Sequence, residues 1–172
     1  MLLATGVLTS TLVGQDPPAD QIQINTPYVE SPPQIVAAML QLADVNRNDT
    51  VYDLGCGDGR IVISAAEKYG ARGVGIDLNP ARIQEARANA QKAGVVDRVS
   101  FEVNDLFEAD IRNATVVALY LLPDANLRLR SRLLRELKPG TRIVSHSFAM
   151  GDWKPEREMV VDGDHVYLWT IR

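Results

Sequence analysis

Apolar residues in this chain alternate between short unbroken runs and longer stretches in which they recur every three or four positions. Ile35, Met39 and Leu42 stand at i, i+4 and i+7. That spacing predicts an amphipathic helix over residues 31–43, with Ser31 as its N-cap and Pro32-Pro33 in its first turn. Residues 50–54 form a short apolar run ending at glycines, the pattern of a buried strand. A helix over 59–69 follows, stopped by Gly70, then a second buried strand over 73–78 and a helix over 80–93 closed by Gly94. Further strands are predicted at 99–103 and 114–122. A helix over 124–137 has Leu129, Leu133, Leu134 and Leu137 on one side and Arg128, Arg132 and Arg135 opposite, a stripe read as a solvated face. Lys138-Pro139-Gly140 ends it, and strands at 141–148, 159–161 and 165–171 complete the set, the last two joined by Asp162-Gly163-Asp164. Five strand–helix units and a terminal hairpin predict an α/β fold: a doubly wound, mostly parallel, seven-stranded sheet closed by a C-terminal antiparallel hairpin.

Composition adds limits. At 172 residues, 46% apolar and 23% charged, the chain fits one globular domain with a single sizeable core. Residues 1–14 are apolar but too short to cross a bilayer as a helix, and they lack the basic start and cleavage site of a secretory signal. Residues 1–26 therefore read as an apolar start and flexible lead-in, with a signal remnant still open, and residues 27–172 as the domain. The net charge of -4 weighs against nucleic acid as a partner, because a phosphate backbone calls for a basic surface. Cys56 is the single cysteine, so neither an intrachain disulfide nor a cysteine-based zinc site is available; no metal is expected.

The candidate chemistry lies at the strand ends, where such sheets bind ligands. The first strand delivers Asp53-Leu54-Gly55-Cys56-Gly57-Asp58-Gly59. Alternating glycines let the backbone turn tightly against a ligand. Dinucleotide sites use G-x-G-x-x-G, whereas Arg60 fills the third glycine position of that fingerprint here. Asp53, two positions before Gly55, would repel a pyrophosphate but suits a cation such as S-adenosylmethionine (SAM). Asp77, 22 residues after Gly55, stands where a carboxylate can accept from ribose hydroxyls. Asn104, Asp105 and Leu106 close the third strand, placed to hold an adenine amino group, with Leu78 and Leu106 as apolar faces for the ring. Taken singly, Asp53 also suits a turn, Asp77 a helix cap and Asp105 an ordinary loop. Their agreement at three successive strand ends favours one cofactor site, with Cys56, Gly57 and Gly59 in its loop.

With these residues placed, the chain resembles the class I, seven-strand SAM-dependent methyltransferases, a Rossmann-like fold. More narrowly it is similar to the archaeal broad-specificity protein lysine methyltransferases, whose mitochondrial relatives modify the ATP synthase c-subunit and the adenine nucleotide translocase. The likeness runs from Pro27-Tyr28-Val29 and Ser31-Pro32 through Tyr52-Asp53-Leu54-Gly55-Cys56-Gly57-Asp58-Gly59-Arg60-Ile61-Val62, and Leu121-Leu122-Pro123 with Asn126. It continues in Leu137-Lys138-Pro139-Gly140-Thr141-Arg142, Val144-Ser145-His146, Asp152-Trp153-Lys154-Pro155 and Val166-Tyr167-Leu168. Glu30 departs from the family's usual proline and Ser31 from its usual threonine.

The resemblance implies SAM as methyl donor and a protein lysine ε-amine as acceptor, with no metal. Methyl transfer is an in-line displacement that requires alignment and exclusion of water. A free lysine is neutral in only about one molecule in 2,500 at pH 7, and an apolar channel or the sulfonium charge raises that share, so no dedicated base is needed. Tyr120, Leu121 and Pro123 follow the fourth strand, where this fold places the acceptor. Tyr28 either closes over the methyl group or anchors the leading segment. His146 can accept a proton or be fixed by local hydrogen bonds. Trp153 lines the acceptor entrance or covers the sheet edge, and His165 reads as structural. A small-molecule N- or O-methyltransferase, or a SAM-binding module without turnover, remains open. The expected partner is a protein with an exposed lysine, without stable membrane insertion, and the expected state is a monomer in the cytoplasm, where SAM is available.

Overall fold

The computed structural model describes residues 29–172. The lead-in, the signal-like stretch and Tyr28 lie outside the described residues. The elements are α1 (Pro33–Leu42), β1 (Thr50–Leu54), α2 (Arg60–Tyr69), β2 (Arg72–Asp77), α3 (Pro80–Lys92), β3 (Val99–Val103), β4 (Val116–Leu119), α4 (Pro123–Glu136), β5 (Arg142–His146), β6 (Arg157–Val161) and β7 (Asp164–Thr170). The seven strands form one sheet in the order β3-β2-β1-β4-β5-β7-β6. β1 to β5 run parallel, and β7 lies antiparallel to both β5 and β6. Asp162 and Gly163, both at positive φ, make the predicted tight turn between the last two strands.

The sheet separates two cores because successive strand residues face opposite ways. Val51, Val116, Ala118 and Val144 pack with α1, α2 and α3; Tyr52, Leu54, Val117, Leu119 and Ile143 pack with α4 and Trp169. Burial on both faces explains why the central strands are apolar without alternation. Strand order reverses between β1 and β4, which fixes the place for a ligand at their C-terminal ends.

Several expectations are corrected. Ser31 is not the N-cap of α1: that position is Pro32, without a side-chain bond, and the Ser31 hydroxyl goes to His146 instead. Strand four ends at Leu119, so the apolar Tyr120, Leu121 and Leu122 continue past the sheet. Strand five ends at His146 because Ser147 takes a positive φ. Residues 104–115 link β3 to β4 by turns without a helix. The α4 arginines do not form a merely solvated stripe. Arg132 donates to the carbonyls of Leu106 and Ala109, and Arg128 lies 4.0 Å over the Phe107 ring. They fasten that link to the helix. Leu134 turns outward while Leu129, Leu133 and Leu137 are buried.

Candidate functional site

The loop between β1 and α2 is built from glycines that no other residue replaces without strain. Gly55, Gly57 and Gly59 all sit at positive φ, where a side chain is disfavoured. A Cβ on Gly59 would also stand 2.6 Å from the Phe101 ring. The amides of Gly55 and Cys56 both donate to the Ile76 carbonyl, at 2.8 and 2.9 Å, so the loop is tied to the end of β2. The side chain of Cys56 turns into the core, and burial pushes its thiol far above the ordinary range. Its contribution to the site is backbone.

Asp77 locks this arrangement. One carboxylate oxygen accepts the Gly57 N–H at 2.9 Å and the other accepts the Asn79 N–H at 2.9 Å. The next strand is linked in turn: Asn104 N–H donates to the Asp77 carbonyl at 3.1 Å. Asp105 then accepts the Phe107 N–H at 2.8 Å, holding the turn in which Leu106 is half-buried, while Leu78 is exposed. The three strand ends predicted to share one site therefore form a connected strip.

Asp53 provides the electrostatics. It is 3% exposed, and among the described residues no donor is hydrogen bonded to its carboxyl group. Burial first, then the nearby charges of Asp77 and Asp58, push its pKa up to about 8. A carboxyl group in this position gains when a cation arrives. A phosphate would meet three acidic groups instead. This set of carboxyl acceptors fits the ammonium and sulfonium of SAM, which brings an activated methyl group when bound.

The residues expected to receive the acceptor, Tyr120 and Leu121, follow β4 across the β1–β4 switch point. A cleft there is lined by Glu30, Ser31, Asp53, Asp58, Arg60 and Tyr120, with Val29, Gly55, Cys56 and Ile61 completing it. Leu121 is half-buried, its end 3.1 Å from where a Cβ on Gly55 would be, so it abuts the glycine loop beside Tyr120. Arg60 joins the leading segment to that loop: it pairs with Glu30 at 2.6 Å and Asp58 at 2.7 Å and donates to the Ser31 carbonyl at 3.1 Å. Glu30, Ser31, Asp58 and Arg60 went unrecognised as site residues in the sequence. Asp58-Gly59-Arg60, an acid and an arginine inside the glycine loop, was the available signal for those two, whereas Glu30 and Ser31 join them only through the fold. Trp153 is half-buried against the core, its carbonyl accepting the Trp169 indole N–H at 2.8 Å, and His165 pairs with Glu158 on the neighbouring strand. Among the described residues no group of metal-ligating side chains forms.

This geometry can be set beside known proteins. The model of the ANTKMT methyltransferase domain matches residues 53–157. A protein-lysine N-methyltransferase of Saccharolobus islandicus (strain REY15A) is 45% identical over 152 residues, covering 86% of this chain and 94% of its own. The chain belongs to the ANTKMT methyltransferase family. The lysine N-methyltransferase of the ATP synthase c-subunit from Xenopus laevis is 32% identical over 181 aligned positions, covering 99% of this chain and 77% of its own. The fold also matches the crystal structure of an RNA methyltransferase from Salinibacter ruber in complex with S-adenosyl-L-homocysteine, with a TM-score of 0.82 and 57% identity over 83% of this chain and 94% of that one. The methyltransferase thus uses SAM, whose demethylated product that related structure holds.

Proposed function

We propose that this methyltransferase transfers the methyl group of SAM to lysine ε-amines of proteins. The relatives named above differ on the acceptor, since two act on protein lysine and one is described as acting on RNA. The acidic character of the acceptor cleft carries the choice. Glu30 and Asp58 line it beside the buried Asp53, and Arg60, the arginine among its described lining residues, is shared between those two ionised acids, which leaves the cleft with a net negative charge. Such a surface attracts a cationic lysine and its basic neighbours and repels a phosphate backbone.

The chemistry suits that acceptor. A lysine nitrogen needs its lone pair exposed behind the methyl group and its proton lost. The positive sulfonium lowers the amine pKa by repulsion between like charges. Tyr120 and Leu121 offer an aromatic and an apolar wall along which an aliphatic lysine chain can lie. SAM is a cytosolic metabolite, which supports a cytoplasmic location for the enzyme.

The test is incubation of the purified protein with methyl-tritiated SAM and a cell extract of protein and RNA, split between protease and ribonuclease. The expected label is released by protease and recovered as methylated lysine on acid hydrolysis. Label released only by ribonuclease would replace this reading with RNA methylation. Label confined to small molecules would replace it with small-molecule transfer.

A further inference from the structure

Ser31 and Tyr120 both line the acceptor cleft, and both rest on one imidazole that does not. His146 is 1% exposed at the end of β5, on the same sheet face as Val144. Its Nδ1 lies 2.9 Å from the Ser31 hydroxyl, across 115 residues of sequence. Its ring packs on Tyr120 with centroids 3.9 Å apart at 32°. Among the described residues its Nε2 is buried without a hydrogen-bond partner, and Asp164 of β7 faces it at 3.8 Å, too far for a hydrogen bond.

We propose that His146 is a positioning residue for the acceptor nitrogen, acting through Ser31: Nδ1 accepts the Ser31 O–H, so that the Ser31 oxygen presents its lone pairs to the cleft. The proposal rests on a lysine acceptor. The tautomer follows from the surroundings, since the Asp164 carboxylate draws the ring hydrogen to Nε2 and leaves Nδ1 as acceptor. The Ser31 oxygen can then take an N–H of the incoming amine and turn the nitrogen lone pair toward the methyl group. The remaining supports of this unit are the neutral Tyr120 and Val166, with Arg60 of α2 holding the Ser31 carbonyl and Glu30 beside it. Protonation of His146 makes Nδ1 a donor, reverses the Ser31 hydroxyl and aims its hydrogen at the amine. Burial lowers the His146 pKa from its ordinary 6.5 despite Asp164, so this reversal belongs to the acidic range.

The experiment measures kcat/KM for a synthetic lysine-rich peptide from about pH 4.5 to 9, with SAM saturating throughout, in the wild type and in His146→Asn, Ser31→Ala and Ser31→Thr. Asparagine keeps an acceptor near the Nδ1 position but does not titrate. Expected is a wild-type log profile of slope two in acid, from lysine and His146 together, changing to slope one, whereas His146→Asn shows slope one throughout. Ser31→Ala loses about tenfold in kcat/KM, the scale of one hydrogen bond, and Ser31→Thr restores it to within about threefold. A single slope in the wild type, a double slope surviving in His146→Asn, or Ser31→Ala at wild-type efficiency would each overturn the proposal. Nitrogen NMR of the His146 ring is the second readout. The Nδ1 resonance shifts on Ser31→Ala if that hydroxyl donates to it, and an unchanged resonance refutes the bond. A peptide left unmethylated by the wild type rejects the lysine acceptor, and with it this role, while the NMR result still decides the hydrogen bond on its own.

Discussion

The carboxylate of Asp77 and the amide of Gly57 meet at 2.9 Å, joining the end of the second strand to the glycine loop of the first. The same carboxylate accepts from Asn79, so its direction is fixed before any ligand arrives. Asp77→Ala removes the loop's tether together with the carboxylate we propose as the ribose acceptor. SAM affinity should fall by about 1–3 kcal/mol, the scale of lost charge-assisted hydrogen bonds. Isothermal titration measures it directly. An unchanged affinity would place the ribose elsewhere.

Asp53 couples the cofactor to pH. Its folded pKa of about 8 stands above the ordinary 3.8. Between those values the unfolded chain is ionised while the folded one keeps its proton, so stability falls as pH rises through that window, by up to about 1.4 kcal/mol per unit. Asp53→Asn removes this slope and becomes increasingly more stable than the wild type up to about pH 8. Binding of a cation draws the proton off. Wild-type SAM affinity should therefore strengthen from about pH 6 to 8 with release of a proton, seen as a heat that depends on the buffer, while Asp53→Asn binds weakly without that dependence. Equal heats in phosphate and Tris would remove Asp53 from the contact.

The geometry of the candidate cofactor strip was legible because its determinants are local. Each glycine of the loop sits at positive φ, and Asp53, Asp77 and Asp105 mark strand ends that hydropathy alone can place. The acceptor half depends on distant partners. Ser31 beside Pro32-Pro33 satisfies every local rule for an N-cap, yet its hydroxyl is taken by His146, 115 residues away. The wheel of α4 identifies which side is apolar but not that residues 106–109 lie over its arginines. Tyr120 and Leu121 extend the apolar run of the fourth strand because the cleft wall is apolar too.

Gly59 tests whether the loop is shaped by sterics as well as by φ. A methyl group there meets Phe101 at 2.6 Å and Ala86 at 3.0 Å, and neither α3 nor β3 can yield cheaply. Gly59→Ala should cost about 1–3 kcal/mol of stability from overpacking. SAM binding should weaken with it, because α2 begins one residue later. Urea titration and calorimetry on one preparation separate the two effects. Wild-type stability would mean that Phe101 moves freely.

At the opposite end of the sheet a mutation should unfold the protein without touching the cofactor. Asp49 is buried, pairs with Arg142 of β5 and accepts the Thr115 hydroxyl at 2.7 Å. Arg142 also donates to the Ala43 carbonyl, so one cluster joins the end of α1, the start of β1 and the start of β5. Asp49→Ala leaves the guanidinium without its carboxylate. Because that side chain keeps 21% of its exposure, the expected loss is about 2–4 kcal/mol, shifted down from the roughly 3–5 kcal/mol of a fully buried pair. The strand ends proposed to hold SAM lie at the far edge, and β1 and β4 stay paired up to Leu54 and Leu119. SAM affinity of the folded fraction, measured well below the new melting point, should therefore match the wild type. A parallel loss of affinity would show that the two ends of β1 communicate.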